Sequence, residues 1–222
     1  MTAIEAIRAR HSVRAYTDKP IPQEIRKALC ERADALNREG GLHLQLVFDE
    51  PHAFSGIMAH YGRFSGVTNY IAVIGKDSDD LAFRAGYCGE QLVLLSQQLG
   101  LNTCWVALTF RKTKSAYTLG PGEKLVCVIA LGYGATQGTP HHSKAISEIS
   151  DCGEDTPDWY QNGVEAALLA PTAVNQQKFR LTRNGNRVTL RAGKGPYAAL
   201  DLGIVRLHFE IGAGKDAFEW AD

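Results

Sequence analysis

Apolar residues recur at helical spacing in some stretches of this chain and alternate or run unbroken in others, so the pattern predicts a mixed α+β architecture. Ile4 and Ile7, set among Glu5, Arg8 and Arg10, predict a short amphipathic helix over residues 3–10. After Ile21-Pro22, the residues Ile25, Leu29, Ala33 and Leu36 share one face of a helix over 23–36, which Gly40-Gly41 stops. Residues 42–48 alternate as a strand, and the β-branched and aromatic run 69–74 predicts another, ending at Gly75. Residues 82–99 carry the longest helical signal, with Phe83, Tyr87, Leu92, Leu94 and Leu95 as its apolar face and Gly100 just past its end. Glu90 lies inside that helix; because an unpaired buried carboxylate is costly, it is expected to be exposed or salt-bridged, or else to face a cleft.

Two continuous apolar runs, 101–108 and 125–131, predict strands buried on both faces, the second ended by Gly132-Tyr133-Gly134. Residues 134–157 are rich in Gly, Thr, Pro, Ser and Asp and predict a long surface connection between unequal lobes. Beyond it come a helical segment over 164–169 and a hairpin of 179–181 and 188–190 around Asn184-Gly185. A helix over 201–211, ended by Gly212, follows. The order helix, turn, strand in residues 23–48 recurs in residues 160–183, which is consistent with internal duplication.

Composition narrows the class. With 222 residues, 45% of them hydrophobic, the chain can bury one sizeable core or two small ones. Its 24 Lys+Arg balance 24 Asp+Glu, so no overall field favours nucleic acid or an anionic membrane. No apolar run approaches the ~20 residues that span a bilayer. The five cysteines, with no Cys-x-x-Cys spacing, suggest reduced thiols and a cytoplasmic protein.

The candidate chemistry sits in two distant segments. Arg10, His11, Ser12 and Arg14 form a dense set of donors in which two guanidinium forks match phosphate oxygens; the alternative is a solvated basic helix end. The loop Ala170-Pro171-Thr172-Ala173-Val174-Asn175-Gln176-Gln177 follows a helix and is polar. Between them, His141 and His142 lack accompanying metal-ligand residues and read as part of a solvated loop, while Lys144 is a candidate second cation for a phosphate. Neither a catalytic dyad nor a metal site is expected.

Three motifs in order, the basic Arg-His-Ser-x-Arg after the first helix, the Leu-Gly-Leu-Asn-Thr-Cys-Trp ending of the long helix, and Ala130-Leu131-Gly132-Tyr133-Gly134, resemble the FMN-dependent nitroreductase-like flavoproteins. The resemblance implies an α+β, three-layer sandwich. Ordinary members carry an Ala-Pro-Ser-x-x-Asn-x-Gln loop after the second helix, where this chain has Ala35 to Gly41; the loop stands instead at 170–179. That order resembles a branch whose chain contains a second, truncated copy of the fold. A nitroreductase-like half (1–135), a connection (136–158) and a truncated copy (159–222) would imitate a dimer within one monomeric chain. The second, symmetry-related site would lack a basic grip and stay empty.

By that resemblance Arg10, His11, Ser12 and Arg14 hold the FMN phosphate, with Lys144 nearby. Pro171, Thr172, Ala173 and Asn175 pack on the isoalloxazine and ribityl chain, Gln177 adds a polar contact, and backbone amides around Val106 and Ala107 face the flavin N5. The implied activity is an NAD(P)H-dependent oxidoreductase working by ping-pong hydride transfer, with NADH or NADPH as a transient guest and a small aromatic acceptor such as a nitroaromatic or quinone. A flavin carrier or sensor without turnover is the alternative. The aromatic segments 54–64 and 109–117 are expected either to form lids or to fill the seam between lobes.

Overall fold

The computed structural model describes residues 1–113 and 115–221; Lys114, inside one expected lid, and the terminal Asp222 lie outside the described residues. The elements run α1 (Ala3–Ala9), α2 (Gln23–Gly40), β1 (Gln45–Val47), α3 (Ile57–Tyr61), β2 (Asn69–Lys76), α4 (Leu81–Gln98), β3 (Asn102–Val106) and β4 (Glu123–Gly132). After a long connection come α5 (Ile146–Ile149), α6 (Asp158–Leu168), β5 (Phe179–Asn184), β6 (Arg187–Ala192), α7 (Ala198–Ala213) and β7 (Glu219–Trp220).

The first four strands form an antiparallel sheet in the order β1-β2-β4-β3. Strand period decides what each face meets. Ile71, Val73, Ile129 and Leu131 pack with Leu29, Leu36 and Leu92 of α2 and α4, while Ala72, Ile74, Val128 and Ala130 face Phe54, Phe64, Phe110 and Tyr117. Of the aromatics in the two expected lid segments, Phe54, Phe64, Phe110 and Tyr117 therefore fill the open face of the sheet, while Tyr61 stays exposed. Short helix α3 and its loops close that third layer.

Strands β5 and β6 form the expected hairpin, turning at Gly185 (φ +63), and β7 joins β6 in parallel. Behind this small sheet Trp159, Tyr160, Phe209, Phe218 and Trp220 stack edge to face and face to face. The main core is continuous from Ile21 to Phe218 and joins α2, α4, α6 and α7.

Helices α4 and α7 approach until their backbones touch. A Cβ placed on Gly86 would lie 2.0 Å from the Leu200 carbonyl oxygen, and one on Gly203 would lie 2.1 Å from that of Phe83. Only glycine admits so close a crossing. Several boundaries differ from the sequence expectation; the helix expected over 164–169 already starts at Asp158, and β3 stops at Val106. Helix α7 starts earlier, at Ala198, and runs through Gly212; the stop is Gly214, at φ +80. Gly212 instead admits α6, for a Cβ there would stand 2.5 Å from the Asn162 carbonyl. The first strand is only Gln45–Val47, with Leu42 making an isolated bridge to Gly75. No described helix is long and apolar enough to cross a membrane.

Candidate functional site

A thread of backbone positions the basic segment. Arg10 ends α1 in an extended conformation, and the chain then runs alongside β3, where the Val13 N–H donates to the Thr103 carbonyl at 3.0 Å and Ser12 bridges Thr103. The Tyr16 N–H donates to Ser65 at 2.9 Å and the Thr17 N–H to Tyr133 at 2.8 Å. Behind the segment, His11 Nδ1 lies 3.0 Å from the Gln137 carbonyl, and Gly138 at φ +77 leaves room that a Cβ would fill at 2.8 Å from the His11 Cβ. Arg14 lies over the Phe64 ring, 5.9 Å from its centroid.

These residues form one end of a cavity of about 770 Å³, a volume in the range of cofactor sites. Its walls come from both ends of the chain. The first part of the sequence contributes the basic segment and the strip from Cys104 to Thr109; the last part contributes the 171–175 loop and the start of α7. Arg10 joins the two, its Nη1 reaching the Leu169 carbonyl at 3.4 Å. It is only 6% exposed, and its Nε has no hydrogen-bond partner. A buried, unpaired guanidinium N–H is expensive unless a ligand completes it.

Of the residues singled out from sequence, Arg10, His11, Ser12, Arg14, Val106, Ala107, Pro171, Thr172, Ala173 and Asn175 all line this cavity. Lys144 and Gln177 are not among its lining residues. They bond to each other instead, the Lys144 N–H to Gln177 Oε1 at 2.9 Å and Lys144 Nζ to the Gln177 carbonyl at 3.2 Å. Gln177, 3% exposed, also donates from Nε2 to the His142 carbonyl at 2.9 Å and to Asn175 Oδ1 at 3.0 Å. The pair thus ties the 140s loop to the 170s loop. Its polar groups are consumed by that tether, which is why they face away from a ligand.

Of the cavity residues that the sequence reading did not assign to the site, three bear on its chemistry. His141, assigned there to a solvated loop, is half-buried in the wall, with Nδ1 3.0 Å from Ser143 Oγ and Nε2 unpartnered. Burial, and then the Arg10 charge, pushes this imidazole below its usual pKa. Nothing in the local pattern separates it from the exposed His142. Asp201 accepts the Ala173 N–H at 3.0 and 3.1 Å through its two oxygens and Gln176 Nε2 at 2.7 Å. Burial raises its carboxyl above the usual range, and the Gln176 and Ala173 bonds pull it back. It clamps a loop in which Val174, Asn175 and Gln177 all have positive φ, at +47, +54 and +45.

The third is Trp105. Its indole N–H donates to Glu90 Oε2 at 2.8 Å, and Glu90 Oε1 lies 3.0 Å from His208 Nε2. His208 Nδ1 meets the Ala166 carbonyl at 3.1 Å, and because a carbonyl only accepts, that nitrogen carries a proton. Glu90 and His208 are both fully buried. The carboxylate that was expected to be exposed or salt-bridged is therefore paired, but with a histidine in the core. Helix α4 is thereby joined to α7 directly behind the cavity wall. Among the described residues, no group of three or more His, Cys, Asp or Glu is placed to hold a metal ion.

The same fold occurs in solved structures. A "putative nitroreductase" of Thermotoga maritima MSB8 superposes with a TM-score of 0.67 at 22% identity, over 97% of this chain and 85% of that one. A "putative nitroreductase in complex with FMN" from Desulfovibrio desulfuricans gives 0.54 at 20% identity, over 71% of this chain and 99% of its own. A "putative NADH dehydrogenase/NAD(P)H nitroreductase" of Parabacteroides distasonis gives 0.54 at 23%, over 68% and 98%. What is shared at these identities is the fold. No curated protein matches the chain. A family model does match, from residue 2 to residue 213, and the chain accordingly belongs to the nitroreductase family that this model describes as "Putative TM nitroreductase".

Proposed function

We propose that this protein is an FMN-dependent oxidoreductase in which NADH or NADPH reduces a small aromatic acceptor. The observation that carries the reading is the buried, unpartnered Arg10 Nε in the basic part of the cavity wall, with a second unpartnered nitrogen on His141 in the same wall. Such a donor set fits a phosphate. The chemistry FMN supplies when bound is storage of two electrons as hydride between a nicotinamide and an acceptor.

The protein's own contribution is positioning. Arg10, His11, Ser12 and Arg14 would hold the phosphate, and Pro171, Thr172, Ala173 and Asn175, braced by Asp201, would form the wall against the ring. Amides around Val106 and Ala107 would donate to it. Lys144 and Gln177 act through the loops they tether.

The chain order supports an internal pseudo-dimer. The sequence α2, β1, β2, α4, β3 recurs as α6, β5, β6, α7, β7, with α3 inserted in the first set. Residues 1–135 and 159–222 are then the two copies and 136–158 their connection. A monomer completes the cavity by itself.

The test is the visible spectrum of the purified protein, with flavin released and counted per chain before and after anaerobic NADH or NADPH. One FMN per chain that bleaches is the expected result. A colourless protein that does not take up FMN refutes the cofactor, and a bound flavin that neither nucleotide reduces would identify a carrier.

A further inference from the structure

Of the six large apolar side chains that the described residues leave most exposed, Met1 and Leu119 lie away from the cavity and the other four are at or next to it. Tyr61 (82% exposed), Leu108 (69%) and Val174 (93%) line the cavity, and Ile57 (90%) precedes Tyr61 by four residues on α3. On a helix that spacing puts Ile57 and Tyr61 on one face. These positions come from three separate parts of the chain: α3, the turn after β3 and the 171–175 loop.

Val174 shows that the arrangement is held against local preference. It is β-branched, its φ is +47, and the clamp from Asp201 to Ala173 fixes the residue just before it. A β-branched residue in the left-handed region is strained, and such strain persists only where the surroundings impose it. Here the fold keeps an isopropyl group in solvent beside the cavity.

The charges of the wall are as informative as its apolar groups. Arg10 and Arg14 lie together in the basic segment, and Asp201 is already engaged by Ala173 and Gln176. Among the described residues no other Asp, Glu, Lys or Arg lines the cavity. With Arg10 and Arg14 given to the cofactor phosphate and Asp201 engaged, the described wall offers an acceptor no further charged partner.

We infer that Ile57, Tyr61, Leu108 and Val174 form an apolar collar for an uncharged, planar acceptor that carries a hydrocarbon substituent, such as an alkylated quinone. The ring enters the cavity and the substituent lies on the collar. This deepens the oxidoreductase reading above and rests on it. A second copy of the chain is the wrong occupant, since it would close the mouth through which hydride donor and acceptor must exchange.

The experiment is a homologous series of benzoquinones with straight alkyl chains from methyl to decyl. Dissociation constants are read by quenching of intrinsic tryptophan fluorescence, and KM is measured in parallel on the flavin-loaded protein. Affinity should tighten roughly two- to four-fold for each methylene that reaches the collar, and then level off. In Tyr61→Ser and Leu108→Ser the dependence on chain length should shrink, read as the ratio of decyl to methyl affinity within each protein.

A series with no dependence on chain length overturns the collar, as does a dependence that both variants retain. A dimer in sedimentation velocity that Leu108→Ser dissociates also overturns it, by assigning the surface to a second copy. FMN content is counted on the same preparations. A dependence on chain length in a protein that binds no FMN would keep the collar and reject the flavin reading; FMN uptake with a flat series would do the reverse.

Discussion

Replacing Gly203 by alanine probes the close contact between α4 and α7. The added methyl would stand 2.1 Å from the Phe83 carbonyl oxygen and 2.7 Å from the Tyr87 nitrogen, whereas real Cβ atoms essentially never come within 3.0 Å of a neighbour. Both obstacles are backbone of α4, so no side chain can swing away. The helices must part by about 1 Å, and a gap of that size forfeits a quarter to a half of each dispersion contact along the seam. Overpacking of this kind costs about 1–3 kcal/mol, and a clash with main chain belongs at the upper end.

Alanine's better helix propensity offsets about 1 kcal/mol of that. The net loss of about 2 kcal/mol corresponds to a fall in melting temperature of roughly 4–8 °C for a chain of this length. Because Leu200, Asp201 and Ile204 line the cavity on the same helix, FMN retention should fall in parallel. Gly153→Ala is the control, having no neighbour within 4 Å and no positive φ. Thermal melts and flavin content on the three proteins decide the matter. If Gly203→Ala melts with the parent and keeps its flavin, the close crossing of α4 and α7 is refuted.

Arg10→Ala should weaken FMN binding by about 10- to 150-fold, the loss of a charge-assisted contact of roughly 1.5–3 kcal/mol, measured by fluorescence titration of the apoprotein. Glu90→Ala strands the Trp105 and His208 groups in the core and should cost about 3–5 kcal/mol in urea denaturation, with Glu90→Gln costing less. Asp201→Asn turns an acceptor of two donors into a group that must point its own N–H₂ at one of them, so riboflavin and FMN affinities should drop together. His141 bears on pH. In the empty site its pKa lies below the ordinary 6.5, so the ring is neutral at neutral pH, and a phosphate beside it raises that pKa. Binding then takes up a proton, so FMN affinity should rise as pH falls through the raised pKa and level off below the lower one. His141→Gln should flatten that rise, and riboflavin, which lacks the phosphate, should not show it.

What could be read from sequence was what depends on neighbours in the chain. The unbroken run 125–131 became the buried middle of β4, and Arg10 to Arg14 declared their donor chemistry by residue type alone. What could not be read depends on residues that fold together from afar. Lys144 has the right charge for a phosphate, but whether its ammonium is free depends on Gln177, and the two meet only in the tertiary structure. Gly212 has the look of a helix stop, yet it is a packing notch for α6, because the choice between those uses is made by Asn162. That Glu90 needs a partner follows from its place in an apolar helix, but the identity of that partner does not, since His208 lies 118 residues downstream.

That separation matters during synthesis. At roughly 5–20 residues per second, a ribosome takes about 6–24 s to deliver His208 after Glu90 has emerged. Throughout that interval the nascent chain holds a carboxylate in the middle of α4 without His208 to meet it. The Glu90–His208 pair can close only once α7 has emerged. Release of residues 1–135 as a free fragment should yield a loosely packed species that binds chaperones or hydrophobic dyes, however regular its strand pattern.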